Sequence, residues 1–226
     1  MRNVAVIGMG HVGATVAFTL FTHGIVDNLY LLDKNQAKAE AEYNDLRDTL
    51  ARNDYHVNVF LGDYSDLKDV DIIVTSFGNI AATVKTGDRF GEFEINSKNA
   101  KEVGAKIKES GFKGILINIS NPCDAISTIL QETTGLSKKQ VFGTGTFLDT
   151  ARMQRIVGEA LNEDPRNVEG FVLGEHGASQ FTAWSTVSVN GKSAKELFTK
   201  EQEEKLSAQP NNCLLYTSDA ADDMQC

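Results

Sequence analysis

Residues 4–17 read "VAVIGMGHVGATVA": an apolar run, a turn through Gly8-Met9-Gly10, then Gly13 inside a stretch of small and apolar residues. Glycines in the order G-x-G-x-x-G are a weak signal alone, but between a strand and a helix the order has a physical reading. Gly8 permits a tight turn, Gly10 lets a pyrophosphate approach the backbone, and Gly13 lets helix and strand pack closely. The phosphates then lie at a helix N-terminus, where unpaired N–H groups and the helix dipole favour negative charge. The next apolar run, "NLYLLD" (28–33), ends in Asp33. An acid about 20 residues beyond the glycines accepts hydrogen bonds from a ribose and repels a ribose phosphate. Together these signals predict a dinucleotide site that favours NAD over NADP.

The neighbouring sequence supports a repeated strand–helix plan. The runs "NVAVIG", "NLYLLD", "VNVFLG", "VDIIVTS", "GILINIS" and "QVFGTG" are mostly continuous rather than alternating. That is expected of strands covered by helices on both faces. Helical segments are predicted over 11–23, 35–50, 88–110 and 124–134, with Gly24 and Gly111 where C-terminal caps fall. Strands alternating with helices imply right-handed crossovers and a doubly wound parallel sheet, a Rossmann-type α/β domain over residues 1–145. Beyond Thr146 the pattern changes to a helix over 148–161, a turn at Pro165, and strand-like "NVEGFVLG" and "AWSTVSVNG". Residues 146–212 read as the N-terminal part of a smaller, truncated α+β catalytic domain.

The chain has 226 residues, 41% hydrophobic and 23% charged, the profile of an ordinary soluble globular protein. No apolar run approaches the roughly eighteen residues that span a bilayer, and "MRNVAVIGMG" has no signal-peptide layout. A formal charge of −9 argues against a nucleic-acid footprint. Cys123, Cys213 and Cys226 have neither metal-ligand spacing nor a disulfide framework, so no metal and a reducing, cytoplasmic location are expected. Residues 213–223, "CLLYTSDAADD", show no helical or strand period. They resemble the translation of a transposase-type sequencing adapter, so residues 213–226 are expected to be a scar without function.

The candidate chemistry lies in two regions. "NISNPCD" (118–124) ends a strand, and ligands of an open parallel sheet lie beyond the strands' C-terminal ends. Asn121 is restrained by the following proline and either holds its amide towards a ligand or simply makes the turn. Four further groups are Arg89 in "KTGDRF", Asp149 and Arg152 in "FLDTARMQR", and His176 in "VLGEHGASQ". Asp149 and Arg152 are three apart and share a helix face. Histidine is the side chain whose ordinary pKa lies nearest neutrality, which suits it to passing a proton.

These motifs resemble the L-lactate/malate dehydrogenase family, and most of all its L-2-hydroxyisocaproate dehydrogenase branch. "GDRF", "KESGF", "ISNP", "GTGT.LDTARMQR.VGEA", "DPR" and "LGEHG.SQF.AWSTV" carry the likeness from Asn3 to about Gly191. The resemblance implies an NAD-dependent L-2-hydroxy acid dehydrogenase, a homo-oligomer whose partner is a small 2-oxo or 2-hydroxy acid. It implies that His176 is the proton donor, with Asp149 fixing the tautomer of its ring. Arg152 then binds the substrate carboxylate, Arg89 polarises the carbonyl, and Asn121 helps place substrate and cofactor. Gly8, Gly10, Gly13 and Asp33 bind NAD. Lactate-specific relatives carry glutamine on the loop before the catalytic arginine, and malate-specific ones carry arginine. Here Ala81, Ala82, Thr83 and Val84 offer neither. That lining favours a larger apolar substrate of the 2-oxoisocaproate kind, with L-lactate dehydrogenase as the alternative and Lys85 the one residue suited to a dicarboxylate. A non-catalytic NAD-binding module or inactive fragment is the alternative of another class. In the family the second domain continues past Cys213, so apolar surface on it is expected to stay uncovered. Cys123 stands where relatives carry an apolar residue and is expected to be a small buried hydrophobe.

Overall fold

The structure, a computed structural model, describes residues 1–78, 91–177 and 179–208. Arg89, the loop residues Ala81 to Lys85, and the stretch 213–226 with Cys213 and Cys226 lie outside the described residues. The chain divides into two compact units, Met1–Gly143 and Thr144–Cys226.

In the first unit the six apolar runs become strands β1 (Asn3–Ile7), β2 (Asn28–Leu32), β3 (Asn58–Leu61), β4 (Ile72–Thr75), β5 (Ile115–Asn118) and β6 (Val141–Gly143). They form one sheet in the order β3-β2-β1-β4-β5-β6, every pairing parallel. The order reverses between β1 and β4, which opens a crevice at the strands' C-terminal ends. Helices α1 (His11–Thr22), α2 (Gln36–Thr49), α3 (Gly91–Ser110) and α4 (Cys123–Thr134) connect the strands. Strand β1 explains its own composition. Val4 and Val6 pack with Ala17, Phe21, Ala39 and Leu46 on one face. Ala5 and Ile7 pack with Ile107, Ile126 and Leu130 on the other. With no solvent face, a continuous apolar run is the only stable choice. Cys123 is buried and unpaired, as its apolar role requires.

Between β3 and β4 a 3₁₀ segment, Tyr64–Asp69, replaces a crossover helix. Asp63 and Asp66 cap it reciprocally, so six residues need no amphipathic period to be held.

The second unit begins with α5 (Phe147–Leu161), followed by two-residue strands β7 (Val168–Glu169), β8 (Val172–Leu173), β9 (Phe181–Thr182), β10 (Ser188–Val189) and β11 (Lys192–Ser193). A single helical turn, α6 (Ala194–Leu197), follows, and residues 200–208 are helical. The strand expected over 167–174 is broken at Gly170, whose φ of 131° few other residues adopt. Strand β7 joins a three-stranded antiparallel sheet, β11-β10-β7, while β8 pairs with β9. Within "AWSTVSVNG" only Ser188–Val189 is strand, because Trp184–Thr186 turns in a 3₁₀ helix. Asn190 and Gly191, both at positive φ, reverse the chain into β11, the residue pair that suits a tight hairpin. Met153 and Val157 of α5 pack on Val168, Val172, Val187 and Val189. Phe147, Leu148, Phe171, Leu173 and Phe181 remain exposed.

Candidate active site

The first unit holds a cavity of about 890 Å³ lined by Gly8, Gly10, Asp33, Tyr64, Ser76 and Gly78, among others. The glycines earn their places in different ways. A Cβ on Gly8, at φ 102°, would lie 2.6 Å from the Ser76 carbonyl oxygen, and one on Gly13 1.8 Å from that of Gly8. Both are required by the protein's own packing. A Cβ on Gly10 would meet nothing within 4 Å. Its bareness has no internal reason and fits a ligand that comes close to the backbone. Gly10 is also the N-cap of α1, with no side-chain cap and no acid in the helix's first turn, and a positive helix end of this kind favours an anion.

Asp33 is fixed from two sides. Its Oδ2 accepts from Met9 N at 2.7 Å and its Oδ1 from Asn35 N at 2.8 Å. The acid is thereby tied to the glycine turn, and each oxygen keeps a lone pair for a ribose hydroxyl. Glycine turn, uncapped helix end, anchored acid and cavity together fit a dinucleotide. Tyr64, on the cavity wall, has its phenol pushed up to about 12 by burial, then by the charges of Glu102, Asp33 and Asp63. Lys106 lies over its ring, 5.2 Å from the centroid.

Asn121 follows β5, and its peptide bond to Pro122 is cis. Its side chain is exposed while its carbonyl accepts from Asn96 Nδ2 at 2.7 Å. Among the described residues, the Asn96 Oδ1 is buried with no partner. Asn118, fully buried at the end of β5, bonds to Thr75, Ser120, Cys123 and Ser127. Sequence reading missed Asn96 and Asn118. The available signal was an amide inside the otherwise apolar "GILINIS", where a buried polar group needs partners.

In the second unit Asp149 is fully buried in the first turn of α5. Its Oδ2 meets His176 Nδ1 at 2.5 Å and its Oδ1 meets Arg152 Nη1 at 3.3 Å. One carboxylate thus serves both groups, more than the shared helix face implied. Because a carboxylate only accepts, Nδ1 of His176 carries the hydrogen and Nε2 is the nitrogen left for a ligand. Two threonines, also missed by sequence reading, set this geometry. Thr146 Oγ1 donates to the Val172 carbonyl at 2.6 Å, and Val172 N donates to Thr150 Oγ1 at 3.0 Å. They grip β8 four residues before His176, from either side of Asp149 in the sequence. Among the described residues, no group of His, Cys, Asp or Glu could hold a metal ion.

Residues 2–143 match the lactate/malate dehydrogenase, NAD binding domain, and residues 146–221 match the lactate/malate dehydrogenase, alpha/beta C-terminal domain. The chain belongs to the lactate/malate dehydrogenase family. Its first unit is the family's NAD-binding domain, and the cofactor that the cavity fits is NAD. The second match runs into the stretch that resembles an adapter translation. L-lactate dehydrogenase 1 of Bifidobacterium longum subsp. longum is 46% identical over 191 residues, 84% of this chain and 60% of that protein. L-lactate dehydrogenase 2 of Lactococcus lactis subsp. lactis is 39% identical over 202 residues, 89% of this chain and 63% of that protein. The chain therefore spans somewhat under two thirds of the length of these relatives. Among solved structures, the minor L-lactate dehydrogenase from Enterococcus mundtii in its ligands-bound form aligns with a TM-score of 0.90 and 32% identity, covering 98% of this chain and 72% of that one. The malate dehydrogenase from Aeropyrum pernix aligns at 0.83 and 25%, covering 96% and 69%.

Proposed function

We propose that this chain acts in an NAD-dependent L-2-hydroxy acid dehydrogenase, with pyruvate and L-lactate as its substrate pair. The observation that carries the reading is Asp149, buried and bonded to both His176 and Arg152. Reduction of a 2-oxo acid adds a hydride to carbon and a proton to oxygen. When bound, NADH would supply the hydride. His176, protonated, hydrogen-bonds the substrate carbonyl through Nε2 and gives that proton to the oxygen. Asp149 holds the ring through Nδ1. Arg152 binds the substrate carboxylate with the N–H groups that Asp149 leaves free, a planar fork suited to two-point contact. Asn121 orients the substrate and contacts the cofactor, and Arg89 stabilises charge on the carbonyl oxygen. In the first unit the Gly8–Gly13 turn and Asp33 would hold pyrophosphate and ribose.

The similarity to L-lactate dehydrogenases favours lactate. A 2-oxoisocaproate preference rests on the composition of residues 81–84 and is the second reading. The deciding measurement is kcat/KM with NADH for pyruvate, 2-oxoisocaproate, phenylpyruvate and oxaloacetate. Pyruvate is expected to lead. A lead for 2-oxoisocaproate would establish the second reading, and turnover of none would leave an NAD-binding module. A His176→Asn variant is expected to lose turnover while still binding NADH.

A further inference from the structure

The loop bearing Asn121 is held by a buried amide that no part of the proposed chemistry uses. Asn118 is 0% exposed. Its Oδ1 accepts from Ser120 N and from Thr75 Oγ1, both at 3.0 Å. Its Nδ2 lies 3.1 Å from each of the Ser120 carbonyl, the Cys123 carbonyl and Ser127 Oγ, so two hydrogens serve three acceptors. Ser127 Oγ gives its own hydrogen to the Cys123 carbonyl, at 2.7 Å, and is free to accept. One side chain therefore grips the backbone before and after Asn121 and ties it to Thr75 at the end of β4. The residues after Thr75, Ser76 to Gly78, line the NAD cavity. Asn96 holds the Asn121 carbonyl from α3. The backbone on both sides of Asn121 is thus held by side-chain hydrogen bonds, while Asn121 itself is exposed.

We propose that Asn118 is a positioning residue: its buried carboxamide sets the backbone of residues 120–123 against the end of β4 and so presents the Asn121 side chain to its ligand. This rests on the reading of Asn121 as a ligand contact. An apolar side chain would fill the same space, but it would leave the Ser120 N–H buried without an acceptor. The loop would then relax towards water or another carbonyl, and Asn121 would move with it.

The test uses the full chain, with NADH affinity from fluorescence titration, amide hydrogen exchange at Ser120, and thermal stability read in parallel. Asn118→Leu keeps the branching and removes all the hydrogen bonds. It is expected to speed Ser120 exchange and weaken NADH about tenfold each, the factor that loss of one well-placed hydrogen bond carries. Thr134→Val is the control, because it removes a buried hydroxyl that bonds only within α4 and to the adjoining turn. It should lower stability and leave NADH affinity alone. Thr75→Val should weaken NADH in the same direction as Asn118→Leu, while Thr75→Ser, which keeps the hydroxyl on Asn118 Oδ1, should restore it. That pair carries the test if Asn118→Leu does not fold. If Asn118→Leu loses stability as the control does, with NADH affinity unchanged, the residue is structural only and the proposal is overturned. Asn121→Ala separates the two failures: unchanged affinity for NADH and for a 2-oxo acid analogue removes the reading of Asn121, and the positioning role with it. If Asn121→Ala weakens binding but Asn118→Leu and Thr75→Val do not, the positioning role alone fails.

Discussion

Gly10 and Gly13 make opposite demands, although one motif contains both. At Gly13 an added methyl runs into the Gly8 carbonyl at 1.8 Å, and backbone cannot step aside as a side-chain tip can. Gly13→Ala should destabilise the first unit by about 1–3 kcal/mol, the usual range for overpacking a filled site. At Gly10 the backbone is extended, φ −72° and ψ −178°, and the space is open. Gly10→Ala should keep stability within about 1 kcal/mol, since its conformation suits any residue. It should nonetheless weaken NADH, whose pyrophosphate would meet the methyl. Urea denaturation and NADH titration of the two variants decide the matter. Equal stability losses with unchanged NADH binding by Gly10→Ala would remove Gly10 from the cofactor contacts. The same contrast separates the buried acids and amides from the exposed ones. Asp33 is held by two backbone amides, whereas Asp149 is held by side chains, and each is useful because its own position is over-determined.

Elements differ in how openly the sequence announces them. Strands β1, β2, β4 and β5 and helices α1 to α5 could be read because burial on both faces, or on one helical stripe, imposes a period on many residues at once. The G-x-G-x-x-G turn and Asp33 could be read because their spacing is set by a strand–turn–helix geometry. The strands of the second unit are two residues long, and no period exists at that length. The break at Gly170 and the Asn190-Gly191 hairpin are visible only as turn chemistry. His176, Asp149 and Arg152 stood out as residue types, but the grip of Thr146 and Thr150 on Val172 joins positions 22 to 26 apart and leaves no local mark. That grip is testable. Thr150→Val keeps the shape and leaves the Val172 N–H without its acceptor, at a cost of about 1–3 kcal/mol. Turnover with pyruvate should fall further than that stability loss explains, and NADH affinity should hold. A variant with wild-type turnover would show that β8 does not set the His176–Asp149 contact. The 3₁₀ segment carries a pH signature. Tyr64 is raised to about 12 by burial and by neighbouring carboxylates, above its ordinary value of 10.0. The folded state binds that proton more tightly than the unfolded one, so its contribution is complete below about pH 10 and lost as pH rises through about 12. In an absorbance titration of tyrosinate, ionisation should continue above the ordinary tyrosine range, from Tyr64 and from Tyr30, which burial also raises. Simultaneous ionisation near pH 10 would contradict the burial.

Two units with separate cores imply separable stability. The clusters around Phe21 and around Leu116 are built from residues 4–141, and the cluster around Val157 from residues 153–198. The first unit has a six-stranded sheet whose every pairing is internal, two cores on opposite faces, and the full set of glycine and Asp33 contacts. Among the described residues, the second relies on two small sheets of two-residue strands, the helix α5, the single turn α6 and the helical residues 200–208, with Phe147 78% exposed and Phe171 and Phe181 58% exposed. Local stability follows buried apolar contacts and hydrogen-bonded backbone, so amides of β1, β4 and β5 should exchange most slowly and those of β8 to β11 first. It follows that residues 1–143, expressed alone, should fold cooperatively and bind NADH. Their affinity should lie within about threefold of the full chain's, equivalent to under 1 kcal/mol, because the residues proposed to hold ribose and pyrophosphate belong to this unit. The fragment lacks His176 and Asp149, the groups proposed to pass the substrate proton, so its turnover should be nil. Circular dichroism with thermal melting and an NADH titration test both halves of the expectation. An unfolded fragment would mean that the sheet depends on residues after Gly143. A folded fragment blind to NADH would move the cofactor's main contacts out of the Gly8–Asp33 cavity.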